Sequence, residues 1–302
     1  MIKNYVTEVC RGGFDAHTEV PESTENGHRM LLESPASVHE TRVLDRTVLA
    51  PGVVLLGFHA PHLVSVTRPG QFVMAIPPGG ERAATALGIY EAQGERASIL
   101  FFVCGPRTRE LAELREGDQL AVTGPLGNGF TFDAAKDVAI VAGGVGIASV
   151  LLVAQSLVQM GKRVRLFYGA RSAHLLVERD RFAEEGCELI CATDDGSLGH
   201  HGFITEALTR AKEKPDLILA CGPSPMLRAA SSIARELGVP AQLSLEETFA
   251  CGVGGCWGCV VPLDRRSAQA PNFPPEGAGG GEVVMARICK EGPVFWAHEL
   301  RW

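Results

Sequence analysis

Four cysteines near the C-terminus constrain this chain more than any other feature. The segment ACGVGGCWGCVV sets Cys251, Cys256 and Cys259 in a C-x4-C-x2-C run, and twenty-nine residues then separate Cys259 from Cys289. This is the ligand spacing of a plant-type [2Fe–2S] cluster, where four thiolates converge on two irons. Such a loop must wrap closely around inorganic sulfides. Gly252, Gly254, Gly255 and Gly258 allow it, turning backbone N–H groups toward sulfur without Cβ clashes. All-thiolate ligation also keeps the potential low, suited to electrons from a reduced nicotinamide. A tetrahedral zinc site more often shows two C-x2-C knuckles, and the second is missing; chance clustering of structural cysteines is the remaining alternative. The other five cysteines, Cys10, Cys104, Cys187, Cys191 and Cys221, are scattered through the chain. All of them except Cys221 read as packing residues. With no apolar export signal at the N-terminus, a metal comes before disulfides, and a cytoplasmic location is expected.

The 302 residues suffice for two or three compact domains. A net charge of −7 argues against a nucleic-acid surface, and no run of eighteen apolar residues offers a membrane span. Residues 1–40 are polar and acidic and read as an extension. From 41 to 134, short apolar runs (GVVLLGF, QFVMAI, ASILFFV, QLAVTG) are punctuated by Gly and Pro, which predicts an antiparallel barrel or sandwich. From 135 to 240, strand-like DVAIVA, VRLFY, ELICA and DLILA alternate with helical stretches, which predicts a doubly wound parallel sheet. Ile147, Val150, Leu151, Ala154, Leu157 and Val158 share one face of a helical period, and Ser224–Pro225 is the expected cap and first turn of a later helix. Residues 241–302 form the small cysteine-bearing domain, rich in Gly and Pro and poor in helix. The fold class is thus a β-barrel followed by α/β and cluster domains.

AGGVGIAS after the first of these strands is a phosphate-cradling turn, with Gly143, Gly144 and Gly146 in it. It lacks the G-x-G-x-x-G form. No Asp or Glu lies between Val138 and Val177, so the acid that would hold a ribose in a Rossmann unit is missing. GARS with Arg171, DDGS with Asp194 and CGPSPM with Cys221 and Gly222 follow the next strands.

In this order the pieces resemble the ferredoxin–NADP reductase superfamily. PGQFV (69–73), GPRT (105–108) and GDQLAVTGPLGNGF (117–130) resemble that family's flavin-binding barrel. Together with SLEETFACGVGGCWGCVVPL and ICKEGPVF (288–295), they resemble the electron-transfer subunit of two-subunit, NAD-linked dihydroorotate dehydrogenases. The resemblance implies FAD, a [2Fe–2S] cluster and NAD(H) as cofactors, with NADP(H) left open. It implies an FMN-containing catalytic partner, in a heterotetramer. The family's R-P-x-S flavin motif is here Arg82-Ala83-Ala84-Thr85, with arginine for the pyrophosphate and threonine in place of serine near flavin N5. Gly105 and Thr108 would meet an FAD phosphate, or Thr108 serves as a simple cap. Cys221 would lie near the nicotinamide, or is a small buried thiol. Arg171 would meet a 2′-phosphate or flank the adenosine. Glu246 and Glu247 are either near the flavin or a solvated pair.

The implied activity passes electrons between NAD and the partner through FAD and the cluster, with Thr85 and Cys221 at the reacting centre. Val253, Trp257, Val260, Val261 and the tail GPVFW would form an apolar patch for the partner, Trp257 having the alternative role of a lid. Two other readings stay open: a reductase that supplies an oxygenase or hydrogenase, and a non-catalytic redox sensor.

Overall fold

A computed structural model describes residues 38–78, 84–264 and 283–302. Most of the extension, Cys10, and Arg82 and Ala83 of the flavin motif lie outside the described residues.

The first half of the chain closes on itself. β1 (Val38–Ala50), β2 (Val53–His59), β3 (Phe72–Ile76), β4 (Thr85–Gln93), β5 (Arg96–Phe102) and β6 (Gln119–Leu126) form a closed antiparallel barrel in the order β1-β2-β5-β4-β3-β6. Two short helices, α1 (Pro61–Val64) and α2 (Pro106–Glu113), lie in its connections. Side chains alternate across each strand, so Val54, Leu56 and Phe58 of β2 point inward. There they meet Val73 and Ala75 of β3, Ile99 and Phe101 of β5, and Leu120 and Val122 of β6. Of the two architectures the pattern allows, the chain takes the barrel.

The second half is a layered sheet. Its elements are β7 (Asp137–Gly143), α3 (Leu151–Gln159), β8 (Arg163–Ala170), α4 (Arg179–Glu184), β9 (Glu188–Thr193), β10 (His200–His201), α5 (Ile204–Thr209), β11 (Leu217–Cys221), α6 (Ser224–Leu237) and β12 (Ala241–Ser244). After them come β13 (Val260–Asp264), β14 (Val283–Arg287) and β15 (Val294–Trp296). The sheet order is β10-β9-β8-β7-β11-β12-β15, parallel except for β15, which runs antiparallel beside β12. β7 is buried on both faces, as a central parallel strand must be. Val138, Ile140 and Ala142 pack with Ile147, Leu151, Ala154 and Leu157, while Ala139 and Val141 pack with Ile204, Leu208, Leu227 and Ala230. β13 and β14 pair as a separate two-stranded ribbon. Among the described residues no helix is long and apolar enough to cross a membrane.

Two local expectations shift. Gly144–Ser149 is a 3-10 turn, and the α-helix begins only at Leu151, because Gly144 takes a left-handed φ of +53° that an α-helix cannot contain. The cap of α6 is Pro223, with Ser224 already helical, a one-residue displacement of the expected start.

Barrel and sheet are joined by a polar contact within their apolar boundary. The Tyr90 hydroxyl, from β4, donates to Glu178 Oε2 at 2.8 Å, just ahead of α4. Burial, followed by the Glu178 charge, drives the phenol pKa upward and keeps it a donor. Arg181 pairs with Glu91 of β4, which also receives Arg96 at 3.1 Å. Removing a hydrogen bond to a charged group costs about 1.5–3 kcal/mol. Tyr90→Phe should therefore lower the denaturation midpoint without changing the far-ultraviolet spectrum; an unmoved midpoint would show that the bond contributes nothing to holding the two halves together.

Candidate active site

The strand order reverses between β7 and β11, so a crevice opens at their carboxyl ends. The glycine turn after β7 and the CGPSPM segment after β11 meet there. Gly146 presses against the Cys221 carbonyl and the Gly222 amide so closely that a Cβ would overlap them. Gly143 lies against Met226 and Pro223, and a Cβ there would stand 2.6 Å from the Met226 sulfur. Gly144 differs. A Cβ there would meet nothing within 4 Å, and its positive φ turns the peptide outward. The turn is thus glycine for packing at two positions, and at the third for an open backbone surface where an anion can sit.

A cleft of about 260 Å³ runs from this turn along the barrel. Its walls include Thr85, Gly88 and Phe72 from the barrel, Ser149 from the glycine turn, Phe249 ahead of the cysteine run, and Pro293 after it. Thr85 Oγ1 is buried in this wall and, among the described residues, has no hydrogen-bond partner, so it can take a ligand's polar atom. Arg107 holds the adjoining segment by donating to the Ala84 carbonyl at 3.0 Å. Thr108 also lines the cleft, but its hydroxyl accepts from the N–H groups of Cys104 and Gly105 at 3.0 and 3.1 Å, and donates to the Gly105 carbonyl. The cap reading of Thr108 therefore describes its contacts, with Gly105 as the capping residue of α2. Cys104, expected as a packing residue, is instead exposed at the cleft wall, because the chain turns outward between β5 and α2.

Cys221 is fully buried, and burial together with the Glu246 charge pushes its thiol up to about 12. It is therefore a neutral thiol, set 4.0 Å from Glu246 Oε1 and beside the hydroxyls of Ser149 and Ser244. Glu246 opens to solvent at the cleft mouth yet is walled by protein on its other sides, and this desolvation raises its pKa. Ser149, Ser244, Phe249 and Pro293 were not expected at the site. All four lie in segments already singled out: Ser149 closes the glycine-turn motif, Ser244 and Phe249 lie in SLEETFACG, and Pro293 lies in KEGPVF. Arg171 and Asp194 lie exposed at the ends of β8 and β9 and do not line this cleft.

The four C-terminal cysteines stand as two hydrogen-bonded pairs. Among the described residues no group of three or more His, Cys, Asp or Glu side chains could hold a metal ion as it stands. Cys256 donates to the Cys251 sulfur, and the Cys289 N–H donates to the Cys259 sulfur at 3.4 Å. Partial burial pushes the Cys251 thiol upward, but the N–H groups of Cys256, Val253 and Gly255 outweigh it and bring the thiol down to about 7. Burial and the neighbouring Cys259 thiol push Cys289 up to about 12. The glycine-rich loop thus aims backbone amides at the Cys251 sulfur. Val253, Trp257 and Met285 are exposed around it, whereas Val294 and Phe295 of GPVFW are buried in β15, so the tail does not belong to the surface patch.

The contrast between the glycines is testable. Gly144→Glu should fold, at a cost of about 1–2 kcal/mol for its left-handed backbone, yet lose binding of a dinucleotide in a fluorescence titration. Gly146→Val should unfold the domain. Undiminished binding by the first variant would move the anion site elsewhere.

Comparison with known proteins adds the lineage. Residues 140–232 match the family model for the oxidoreductase NAD-binding domain. The dihydroorotate dehydrogenase B (NAD(+)) electron transfer subunit of Caldanaerobacter subterraneus subsp. tengcongensis is 34% identical, over 77% of this chain and 87% of the relative. The subunit of the same name from Listeria monocytogenes serovar 1/2a is also 34% identical, over 87% of this chain and 98% of that one. Among solved structures, a chain of an NADH-dependent reduced ferredoxin-NADP oxidoreductase superposes with a TM-score of 0.75 at 29% identity, covering 87% of this chain and 90% of the other. A Neisseria gonorrhoeae ferredoxin NADP+ reductase with bound FAD and NADP shares the fold at a TM-score of 0.58 and 18% identity, over 67% and 92% of the two chains. The closed barrel, the nucleotide-binding sheet and these relatives converge: the chain belongs to the family of electron transfer subunits of dihydroorotate dehydrogenase B (NAD(+)).

Proposed function

We propose that this protein passes electrons between NAD and an FMN-containing catalytic subunit that oxidises dihydroorotate, by way of FAD in the cleft and a [2Fe–2S] cluster on Cys251, Cys256, Cys259 and Cys289. One observation carries the reading. A single cleft is walled at once by the barrel, by the glycine turn, and by segments on both sides of the cysteine run. That shared wall supports grouping the three proposed redox stations around one space.

The residues divide by what they present. Thr85 would offer its hydroxyl to the flavin, with Thr108 also on the cleft wall; Arg82, Ala83 and Ala84 complete the motif, and Gly105 would meet an FAD phosphate. Gly144 offers its open backbone to the dinucleotide pyrophosphate, while Gly143 and Gly146 fix the turn. Cys221 and Gly222 would border the nicotinamide, and Arg171 and Asp194 the adenosine end. Burial of Cys221 keeps a neutral sulfur there, which excludes thiolate attack on the ring. When bound, FAD takes a hydride as an electron pair and releases electrons singly, and a [2Fe–2S] cluster takes them one at a time.

The C-x4-C-x2-C spacing with a single knuckle favours two irons over one tetrahedral zinc, and the amides around Cys251 favour the thiolate form. Purified protein should contain two irons and two sulfides per chain. Cys256→Ser should lose most of the cluster absorbance while keeping FAD; stoichiometric zinc would reject the assignment.

Exposed Val253, Trp257 and Met285 are the face on which the catalytic subunit is proposed to dock, in a heterotetramer. Reconstitution with the FMN-type subunit from the same organism should couple dihydroorotate oxidation to NAD reduction. NADH should support dye reduction better than NADPH, and Trp257→Ala should weaken the coupled reaction more than NADH-to-dye reduction. Two subunits that neither associate nor couple would leave a reductase serving another acceptor.

A further inference from the structure

β15 is the edge strand of the nucleotide-binding sheet. One side pairs with β12, and the other would leave the backbone groups of Val294 without partners. A single barrel side chain satisfies them. Asn128 Oδ1 accepts from the Val294 N–H at 2.9 Å, and its Nδ2 donates to the Val294 carbonyl at 2.7 Å. The same Nδ2 donates to the Glu291 carbonyl at 3.0 Å, and the Asn128 N–H donates to the Gly292 carbonyl at 2.6 Å. The amide therefore pairs with Val294 as a neighbouring strand would. The neighbouring Gly127 lets the two backbones come this close, since a Cβ there would stand 2.6 Å from the Gly292 oxygen.

The segment held in this way runs from Cys289 to the cleft wall at Pro293. Its hydrogen bonds continue toward the cysteine loop. Glu291, held by its carbonyl, pairs through its carboxylate with Arg287, and Arg287 Nη1 donates to the Gly254 carbonyl at 2.8 Å. The Ile288 N–H donates to the Cys259 carbonyl at 2.7 Å. From the barrel to the cysteine loop the chain of contacts is unbroken.

We infer that Asn128 is a positioning residue that docks the cysteine arm on the barrel and so sets the spacing between the flavin cleft and the cluster, an inference that rests on the functional reading above. It touches neither nucleotide turn nor the Thr85 wall, so the reaction of NADH at the flavin depends on it less than the step from flavin to cluster does.

The test uses the full-length holoprotein. A wild type lacking FAD or iron sinks the functional reading, a separate failure that is seen before any variant is made. In Asn128→Asp the acceptor for Val294 remains, but both donations become contacts between carboxylate and carbonyl oxygens. Deuterium exchange at the amides of 291–296 should quicken, and NADH should bleach the flavin at the wild-type rate. Reduction of the cluster after the flavin, followed by its visible and paramagnetic signals, should slow about ten- to a hundredfold, the scale on which small misplacements act. Asn128→Ala removes the acceptor and both donations without adding a charge and should give the same split; it serves if the aspartate variant does not fold. Wild-type cluster reduction in an arm that exchanges faster overturns the inference, as does equal slowing of both steps.

Discussion

Gly146 lies against the Cys221 carbonyl, and the whole nucleotide end depends on that contact. With no side chain between them, the turn after β7 and the start of the segment after β11 share one floor. The tight 3-10 turn that results delays α3 and exposes Gly144, while Ser149 is carried onto the barrel at Gly88. A substituted side chain would open a gap in three places at once: between two strands, between turn and cleft, and between sheet and barrel. Close packing makes such a change discontinuous, because a filled interior has no slack to absorb it.

Electrostatics around the cleft follows from the same crowding. Cys221 and Glu246 are both shifted toward their protonated forms by desolvation, and Tyr90 likewise remains a donor beneath the barrel–sheet boundary. The cysteine loop is built in the opposite sense. There amides crowd around Cys251 and, against the opposing effect of burial, bring its thiol down to about 7. A region that disfavours charge thus stands next to one that stabilises it, on the two sides of Phe249.

What the sequence made legible was local. The C-x4-C-x2-C run with its interleaved glycines and the strand–turn–helix around Gly143 are each short, continuous stretches of chain, and each was assigned to a chemistry from its own pattern. Barrel and sandwich could not be told apart, because period-two alternation is the same in both and only pairing of distant strands decides. Asn128 was invisible for the same reason: its partners lie 163 and 166 residues further on. Val294 and Phe295 looked like surface, since three residues are too few to show a strand period, yet pairing with β12 buries them. Cys104 looked like core, because nothing in its own neighbourhood tells that the chain turns outward there.

The antiparallel seat of β15 beside β12 has a consequence for how the chain can be divided. The cysteine-bearing arm leaves the sheet after β12 and returns to it, so it is a loop closed by the sheet and no free-standing tail. Cutting the chain after β13 would remove the strand that covers β12 and uncover a row of backbone donors and acceptors, a template for pairing with another molecule. Pairing of Ser244 with Val294 closes a long span of chain, and long-range pairings of this kind form slowly. The sheet edge at β12 stays open until β15 docks, and a cysteine-bearing segment that looks modular in sequence is the lock that completes the fold.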